Sequence, residues 1–481
     1  MADSGILMDF NLLCKATGGD LHCPGDTTGY SGFSSVSIDS RAVKEGSLFV
    51  ALPGERSDGH DFVKEAFSNG AVAAIVERKK YASLGLQDTS VVSGKTVIAV
   101  DDTLAALQSA AKLYLEKFPS LLKIGITGSA GKTTTKEMAA AIIGCEKNTV
   151  ANPGNFNSDS GLSLSVFAVR PCHEVGIFEM GMNRKGEMAD LAGVLNPDIA
   201  LITNIGSAHI GILGSKQAIA KEKKNIFSRL GEKGIALIPE DSGFRDFLAE
   251  DIRGKVSFYG EKSIAGLGGC FDRGLNGSEI VLDGQSINLA LPGRHNLANA
   301  VAAIAIAQKI PVSTAAVKKG LESVKPLFGR GEIMHGSITV VRDCYNSNLE
   351  SLTAAINFCD SVEWPGRRIY VIGEMLELGD ASHGAHVEMG RLLAASKADA
   401  VYFFGKETGA ALEAFTSCPY ENGAKSKVRF FHTCDMEELM REAGSFACRG
   451  DLVLLKGSRG CALERLGAVF EKEDGSVSGN I

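Results

Sequence analysis

The feature that most restricts this chain lies near residue 123, where an apolar strand, KIGIT, runs straight into GSAGKTTTKEMAAAII. A glycine loop, a lysine and hydroxyl residues therefore stand between a strand and a helix, which is the frame of a phosphate loop. Gly128 and Gly131 let the backbone N–H groups around Ser129 and Ala130 turn towards an anion, and the helix N-terminus adds its positive end. Lys132 is placed to reach outer phosphates, and Thr133, with Thr134 beside it, to ligate magnesium. The spacing is the short T-G-x-x-G-K-T-T form, because Ile126 stands where the longer pattern has its first glycine.

The surroundings agree with that frame. After Leu121 apolar strands alternate with helical stretches: KIGIT, EVGIFEMG, DIALITNIG and GIALIP are separated by helices through Met138, near Leu191 and through Ile226. Such alternation predicts a mostly parallel sheet covered by helices. Residues 34–100 form a smaller α/β pattern (SVSIDSR, SLFVALPG, AVAAIVE, KTVIAV), and Thr103 to Phe118 reads as a connecting helix. Residues 255–292 break the rhythm with glycine-rich segments expected to be antiparallel hairpins, followed by a helix from Asn296 to Lys309. A third block (SITVVRD, RRIYVIG, DAVYFFG, KVRFFH, DLVLLKGS) predicts a second doubly wound unit, and the tail GSVSGNI is expected to fray. The expectation is an α/β protein of three domains: 1–102, a small N-terminal domain; 103–324, a central phosphate-loop domain with a mostly parallel sheet; and 325–481, a Rossmann-like C-terminal domain. A length of 481 residues fits about three domains.

Composition excludes several classes. At 44% hydrophobic and 22% charged residues the chain has enough apolar surface for several cores, and disorder as its main state is excluded. Its net charge of -7, without a long run of one sign, offers no nucleic-acid arm. Eleven scattered cysteines without a Cys-x-x-Cys pair suggest neither a disulfide framework nor a zinc site, which favours a reducing cytoplasm. No signal peptide or membrane span is expected. Glycine is in excess, 56 of 481 residues, which implies many tight turns or close backbone approaches to ligands.

Nucleotide binding alone leaves a kinase, a simple ATPase and an ATP-dependent ligase open. Glu179 in FEMG and His209 in TNIGSAH stand at the ends of consecutive strands of the phosphate-loop sheet, where such sheets place ligand-facing groups, and both are candidates to hold divalent metal. Lys221, Lys223 and Lys224 cluster on one helix and would ordinarily be a solvated charge run. Asn296 and Asn299 are candidates for the nucleotide, with helix capping the plainer role for Asn299. The Ser347-to-Glu350 spacing fits a capping box for the helix that follows. Leu376 to Leu378 reads as packing, and Lys456 and Arg459 as cations that could meet a carboxylate.

The strings TGSAGKTTTKEM, NPGNFNSDSGLSL, EMGMNRKGEMADL, PDIALITNIGSAHI, AIAKEKKNIF, GRHNLANAVAA, GRGEIMHG, DCYNSNLESLTAAI, VIGEMLELG and LLKGSRG, in this order, resemble the Mur ligase family over nearly the whole chain. DSR (Asp39, Ser40, Arg41) and LFVALPGERSDGHDF resemble the family's uridine-sugar end. Within the family, EMGMN and DCYNSN are similar to the branch that adds D-alanyl-D-alanine to UDP-N-acetylmuramoyl-tripeptide. The sequence has no D-x-P-R, the loop of the branch that adds the third peptide residue. It departs from family patterns in NRKGE for NHxGE and in YNSNL for YNANP.

The resemblance implies ATP-driven amide formation through an acyl phosphate in cytoplasmic peptidoglycan precursor synthesis. It implies ATP and two Mg2+ ions, with UDP-N-acetylmuramoyl-tripeptide and D-Ala-D-Ala as small-molecule substrates, and a monomer without nucleic-acid or membrane partners. Carried onto this sequence, it makes Lys132, Glu179, His209 and Lys223 catalytic. Thr133, Glu179, His209 and a carbamylated Lys223 become metal ligands. Gly128 to Thr134, Asn296, Arg330, Asp343 and Tyr345 meet ATP, and Ser40, Arg41, Asp58, Gly59 and His60 meet the sugar nucleotide. Closure of the second and third domains on the nucleotide is expected to exclude water. The sister ligase adding the third residue, a folate-glutamate ligase and a non-catalytic ATP-binding scaffold remain alternatives at this level.

Overall fold

The computed structural model describes residues 5–22, 30–54, 57–85, 94–418 and 428–470. The tail GSVSGNI and Glu55 and Arg56 of the LPGERSDGH loop lie outside them. The chain forms the three-part α/β architecture that the alternation predicts. The first sheet has five strands in the spatial order Asp20–His22, Thr96–Val100, Ala71–Glu77, Ser47–Val50, Ser35–Ser37, parallel except for the first pair.

The second sheet is built from β1 (Leu122–Thr127), β2 (Thr149–Ala151), β3 (Val175–Glu179), β4 (Ile199–Ile202), β5 (Ile235–Pro239) and β6 (Lys255–Tyr259). Its order is β6-β5-β4-β1-β3-β2, all parallel. The strands read as continuous apolar runs because both faces are covered. Ile199 and Leu201 enter one core, and Ala200 and Ile202 the other. KVSFY corrects the expected hairpin: it is the sixth parallel strand, since its backbone pairs with β5, and only Leu267–Asp272, Ser278–Leu282 and Gln285–Leu289 form the antiparallel sheet. The third sheet comprises β7 (Glu332–Met334), β8 (Thr339–Asp343), β9 (Arg368–Gly373), β10 (Ala400–Phe404), β11 (Arg429–Thr433) and β12 (Leu452–Lys456), in the order β7-β8-β12-β9-β10-β11. The short β7 is antiparallel to β8 and carries no clear signal in the sequence.

The helix Thr103–Leu115 starts at Asp102, whose carboxylate accepts from the N–H groups of Leu104 and Ala105, and it joins the first two units. Tyr114 Oη donates to the carbonyl of Val169 at 2.7 Å, while Lys117 Nζ donates to the carbonyl of Leu7 at 2.6 Å. Apolar residues from the first sheet, this helix and one face of the second sheet form one contiguous core. No helix among the described residues is long and apolar enough to cross a membrane, and the ten described cysteines are unpaired.

The helix that follows the phosphate loop, Lys132–Ile143, is clamped from behind. A Cβ on Gly320 of the helix Thr314–Ser323 would lie 2.4 Å from Ile142 Cα, so the two backbones touch there. Gly320→Ala should force them apart at a cost of about 1–3 kcal/mol, the usual penalty of overpacking. A lowered thermal midpoint is expected in differential scanning calorimetry, and an unchanged one would show that the contact relaxes freely.

Candidate active site

The order of the second sheet reverses at β1, because β3 lies on one side of it and β4 on the other. Loops leaving the carboxyl ends of these three strands therefore splay apart and open a crevice. The phosphate loop follows β1, Glu179 ends β3, and the Thr203–His209 segment follows β4. The first loop is held by the third: Ser129 N donates to Asn204 O at 3.0 Å, Ala130 N to Asn204 Oδ1 at 3.0 Å, Thr203 Oγ1 to Ala130 O at 2.6 Å and Gly206 N to Ser129 Oγ at 2.8 Å.

The two glycines have direct reasons. Gly128 has φ 154°, and a Cβ there would sit 1.8 Å from Thr203 Oγ1. Gly131 has φ 79°, and its Cβ would sit 2.1 Å from Asn299 Oδ1. The loop thus delivers the positive end of the Lys132–Ile143 helix into the crevice, with Thr133 and Thr134 buried beside it. Lys132 Nζ donates to Gly128 O at 2.9 Å. Enclosure by protein, and Arg330 nearby, lower the Lys132 pKa against the opposing pull of Glu179 and Glu377.

Glu179 is 1% exposed. Asn152 locks its backbone, accepting from Glu179 N at 2.8 Å and donating to Glu179 O at 2.9 Å. Asn157 Nδ2 donates to Glu179 Oε1 at 2.6 Å, while Oε2 is buried with no partner in the protein. A buried carboxylate oxygen left open in this way is costly unless something positive meets it. Behind it Lys223 is 1% exposed, on the helix Lys216–Lys224. Burial first, and then the charge of Lys132, push its pKa well below the ordinary lysine value, although Glu222 and Glu179 pull the other way. The solvated charge run is thereby excluded for Lys223, which points inward.

The opposite wall comes from the third sheet and the helix Arg294–Ala307. Arg330 stacks over the ring of Tyr345 at 4.1 Å. Asp343 Oδ2 lies 3.1 Å from Lys456 Nζ, which is itself buried and donates to Asn346 O. Lys456 is therefore committed within the fold rather than free for a substrate carboxylate, and Arg459 pairs with Glu464 at 2.7 Å. Asn296 donates to Pro292 O at 2.8 Å and, with Asn299, faces the cavity. Asn299 lies mid-helix against the phosphate loop, so it is not a cap.

The capping expectation also shifts by one residue. Asn348 is the N-cap, and it shares a reciprocal box with Ser351. Ser347 Oγ is left buried and unpaired, and Glu350 reaches across to Ser207, accepting from its N–H at 3.0 Å and from Oγ at 2.6 Å. Burial pushes the Glu350 pKa up, but the bonds from Lys216 and Ser207 outweigh it and the net shift is downward.

These walls enclose a cavity of about 900 Å3. Ser129 to Thr134, Glu179, His209, Asn296, Arg330, Asp343 and Tyr345 line it, Gly128 adjoins it and Lys223 lies behind it. Sequence reasoning missed Asn152, Asn157 and Glu377. Asn152 and Asn157 had a signal, the NPGNFN string, but their roles depend on a strand far away in the chain. Glu377 was read as part of a packing segment, yet its carboxylate lines the cavity 3.2 Å from His209 Nδ1. That contact, outweighing some burial, lowers the Glu377 pKa, although His209 Nδ1 makes no well-aligned hydrogen bond.

The uridine-sugar candidates lie apart, on the first sheet. Ser40 Oγ donates to Glu65 Oε2 at 3.0 Å, while Arg41 is exposed and pairs with Asp39. Asp58 accepts from the backbone N–H of His60. A Cβ on Gly59 would meet the backbone of Leu52 at 2.7 Å. His60 is buried with both ring nitrogens engaged: Nδ1 lies 2.6 Å from Asp58 Oδ1, and Nε2 accepts from Glu77 N at 2.9 Å. It shapes its loop from inside and has no free nitrogen in this arrangement.

Comparison with known proteins gives the geometry a family. Three family models match in order: "Mur ligase family, catalytic domain" over residues 33–115, "Mur ligase middle domain" over 126–307, and "Mur ligase, glutamate ligase domain" over 329–459. The chain is 43% identical to the UDP-N-acetylmuramoyl-tripeptide--D-alanyl-D-alanine ligase of Treponema pallidum, over 97% of this chain and 100% of that one. Among solved structures, MurF from Acinetobacter baumannii matches with a TM-score of 0.83 at 29% identity, covering 96% of this chain and 98% of that one. The MurF ligase of Thermotoga maritima in complex with ADP matches with a TM-score of 0.75 at 29% identity, covering 91% and 97%. A phosphate loop facing a second α/β unit across one cleft, matched along its length by these models and relatives, means that the chain belongs to the Mur ligase family.

Proposed function

We propose that this protein is an ATP-dependent amide ligase that joins D-Ala-D-Ala to UDP-N-acetylmuramoyl-tripeptide in cytoplasmic peptidoglycan precursor synthesis. The observation that carries the reading is the single cavity into which the phosphate loop, the half-open Glu179 carboxylate and the Arg330–Tyr345–Asp343 wall all project. The names of its relatives, and the ADP bound to one of them, support it. In this reading residues 1–102 hold the sugar nucleotide near Ser40, Arg41 and the Asp58–His60 loop. Residues 103–324 bind ATP, and residues 325–481 close over it.

A carboxylate is a poor electrophile, so the tripeptide carboxylate first takes the γ-phosphoryl group of ATP and ADP leaves. The dipeptide amine then attacks the carbonyl carbon of the acyl phosphate, a C–N bond forms, and phosphate departs with net release of one proton. The protein's part is to position the groups and to stabilise charge as it develops. The helix N-terminus behind Gly131 and Lys132 face the phosphates. Arg330 and Asp343 hold the nucleotide from the far wall, with Tyr345 as a stacking surface and Asn296 alongside.

Magnesium fits the residues present. No three His, Cys, Asp or Glu side chains among the described residues form a protein-only metal cluster, whereas Mg2+ on a nucleotide needs only one or two protein ligands beside phosphate oxygens and water. Glu179 Oε2, unpaired and buried, and Thr133 beside it would hold one ion, and His209 would help with a second. When bound, the metal neutralises phosphate charge. Lys223, buried and with its pKa pushed down by that burial and by Lys132, is suited to react with CO2, which needs the neutral amine. The carbamate that would result, with one proton released to solvent, would carry one negative charge and serve as a further carboxylate-like group for the second ion.

The decisive assay is ADP release with UDP-N-acetylmuramoyl-tripeptide, with and without D-Ala-D-Ala. Release is expected to require the dipeptide, and release that ignores it would reject the function. Lys132→Ala should lower kcat about 100- to 1000-fold, as loss of one preorganised charge donor does. Lys223→Ala should lose most activity and regain part of it with added short carboxylates; full turnover without them would remove the carbamate. Solution scattering should show compaction with an ATP analogue plus the sugar nucleotide, and an unchanged radius of gyration would count against closure.

A further inference from the structure

The acceptor for this reaction is a dipeptide that presents a primary ammonium, and the residue that meets it follows from the acids of the third unit. Three of its carboxylates line the cavity, Asp343, Glu350 and Glu377; the second unit's Glu240, Asp241 and Glu261 line it too, but of all these only Glu377 acts, with Glu179, on the charge of Lys132. Asp343 is paired with buried Lys456 at 3.1 Å, and Glu350 is taken by Ser207 and by Lys216 at 2.8 Å. Glu377 differs. Its side chain is 61% exposed, and its one ion-pair contact among the described residues is the imidazole of His209, at 3.2 Å. It also lies within electrostatic reach of Lys132, where the acyl phosphate forms.

The loop that carries Glu377 is built to hold it there. Met375 N donates to His386 Nε2 at 3.2 Å, Leu376 N to Ser458 Oγ at 2.9 Å, and Ser458 N to Glu374 O at 2.9 Å. His386 and Ser458 are both buried. Glu377 itself has φ 65° and His209 facing it φ 63°, so two non-glycine residues adopt the left-handed conformation on opposite sides of one cleft. Such backbone is costly, persists only where the surroundings impose it, and gathers at functional sites. The two segments meet tightly: a Cβ on Gly211 would lie 2.2 Å from the carbonyl carbon of Leu378. The loop is therefore registered against the catalytic wall of the second unit through a backbone contact.

We infer that Glu377 receives the amino group of the incoming dipeptide and holds it at the Lys132 end of the cavity, in line with the acyl carbon. Glu377 is thus a binding and positioning residue for the second substrate, and the inference rests on the ligase reading above. A carboxylate suits this place because it complements the ammonium of D-Ala-D-Ala and offers nothing to an uncharged analogue.

The test uses the full-length enzyme, saturating ATP and sugar nucleotide, and D-Ala-D-Ala varied in an ADP-release assay. Glu377→Gln should raise the KM for D-Ala-D-Ala about 10- to 100-fold, the range for one charge-assisted hydrogen bond, with the KM for ATP unchanged. Glu377→Asp should recover part of the loss. D-lactoyl-D-alanine, which carries a hydroxyl in place of the amine, should inhibit wild type and E377Q equally. An unchanged KM for the dipeptide in E377Q, or an equal loss of the lactoyl analogue, overturns the assignment. A rise in the KM for ATP and in the magnesium requirement instead would make Glu377 a support for His209, and also overturns it. Wild-type enzyme that releases no ADP in response to D-Ala-D-Ala would overturn the ligase reading and this assignment together, so the two failures are distinguishable.

Discussion

Everything at the site depends on how the phosphate loop is confined. Gly128 is pressed against Thr203 at the end of β4, and Gly131 against Asn299 of the Arg294–Ala307 helix, so no side chain larger than hydrogen fits at either point. Confinement makes the glycine loop a fixed cradle: the N–H groups of Ser129 and Ala130 are spent on Asn204, and the N-terminus of the Lys132–Ile143 helix is what faces the crevice. The cradle then dictates what surrounds it. Asn204 must satisfy its amides, Asn152 must hold the neighbouring strand end, and Asn157 must orient Glu179 so that one oxygen stays open.

The cleft handles charge by pairing most of it and leaving a few groups uncommitted. Lys456 is used by Asp343, and Glu350 by Ser207 and Lys216. Glu179 Oε2 has no partner in the protein, Lys223 is buried beside it and Glu377 is met by the imidazole of His209, and each stands where a ligand, a modification or a substrate amine would complete it. A protein of net charge -7 thereby meets highly anionic substrates with a helix end and a few placed cations rather than with a basic surface.

Much of this was legible along the chain. The strand-loop-helix around Lys132, and Glu179 and His209 at the ends of the following strands, are local signals, because a phosphate loop and its neighbours arise from short-range pattern and sheet order. Capping was half legible: a Ser347–Glu350 box was expected, but the cap is Asn348 with Ser351, and Glu350 is drawn away by Ser207, a partner 143 positions earlier in the chain. KVSFY read as a hairpin strand because glycine-rich sequence follows it, and only its pairing with β5 shows otherwise. Ser40, Arg41 and His60 could not be ranked from sequence: the Nδ1 contact of His60 with Asp58 is local, but its Nε2 contact comes from Glu77 at the end of the Ala71–Glu77 strand.

The sequence by itself determined the class of fold, the anion-binding loop and the residue types able to do phosphoryl chemistry, because hydrophobic period, glycine placement and strand-end position are properties of neighbours in the chain. Only the tertiary structure decided which charges are free. Lys223 and Lys224 are adjacent and chemically alike, yet Lys223 is buried behind Glu179, whereas Lys224 donates to the carbonyl of Phe247. Glu350 and Glu377 are likewise both glutamates in one wall, separated in role by what the second unit brings against them. Burial and pairing depend on distant segments, and no local pattern encodes them.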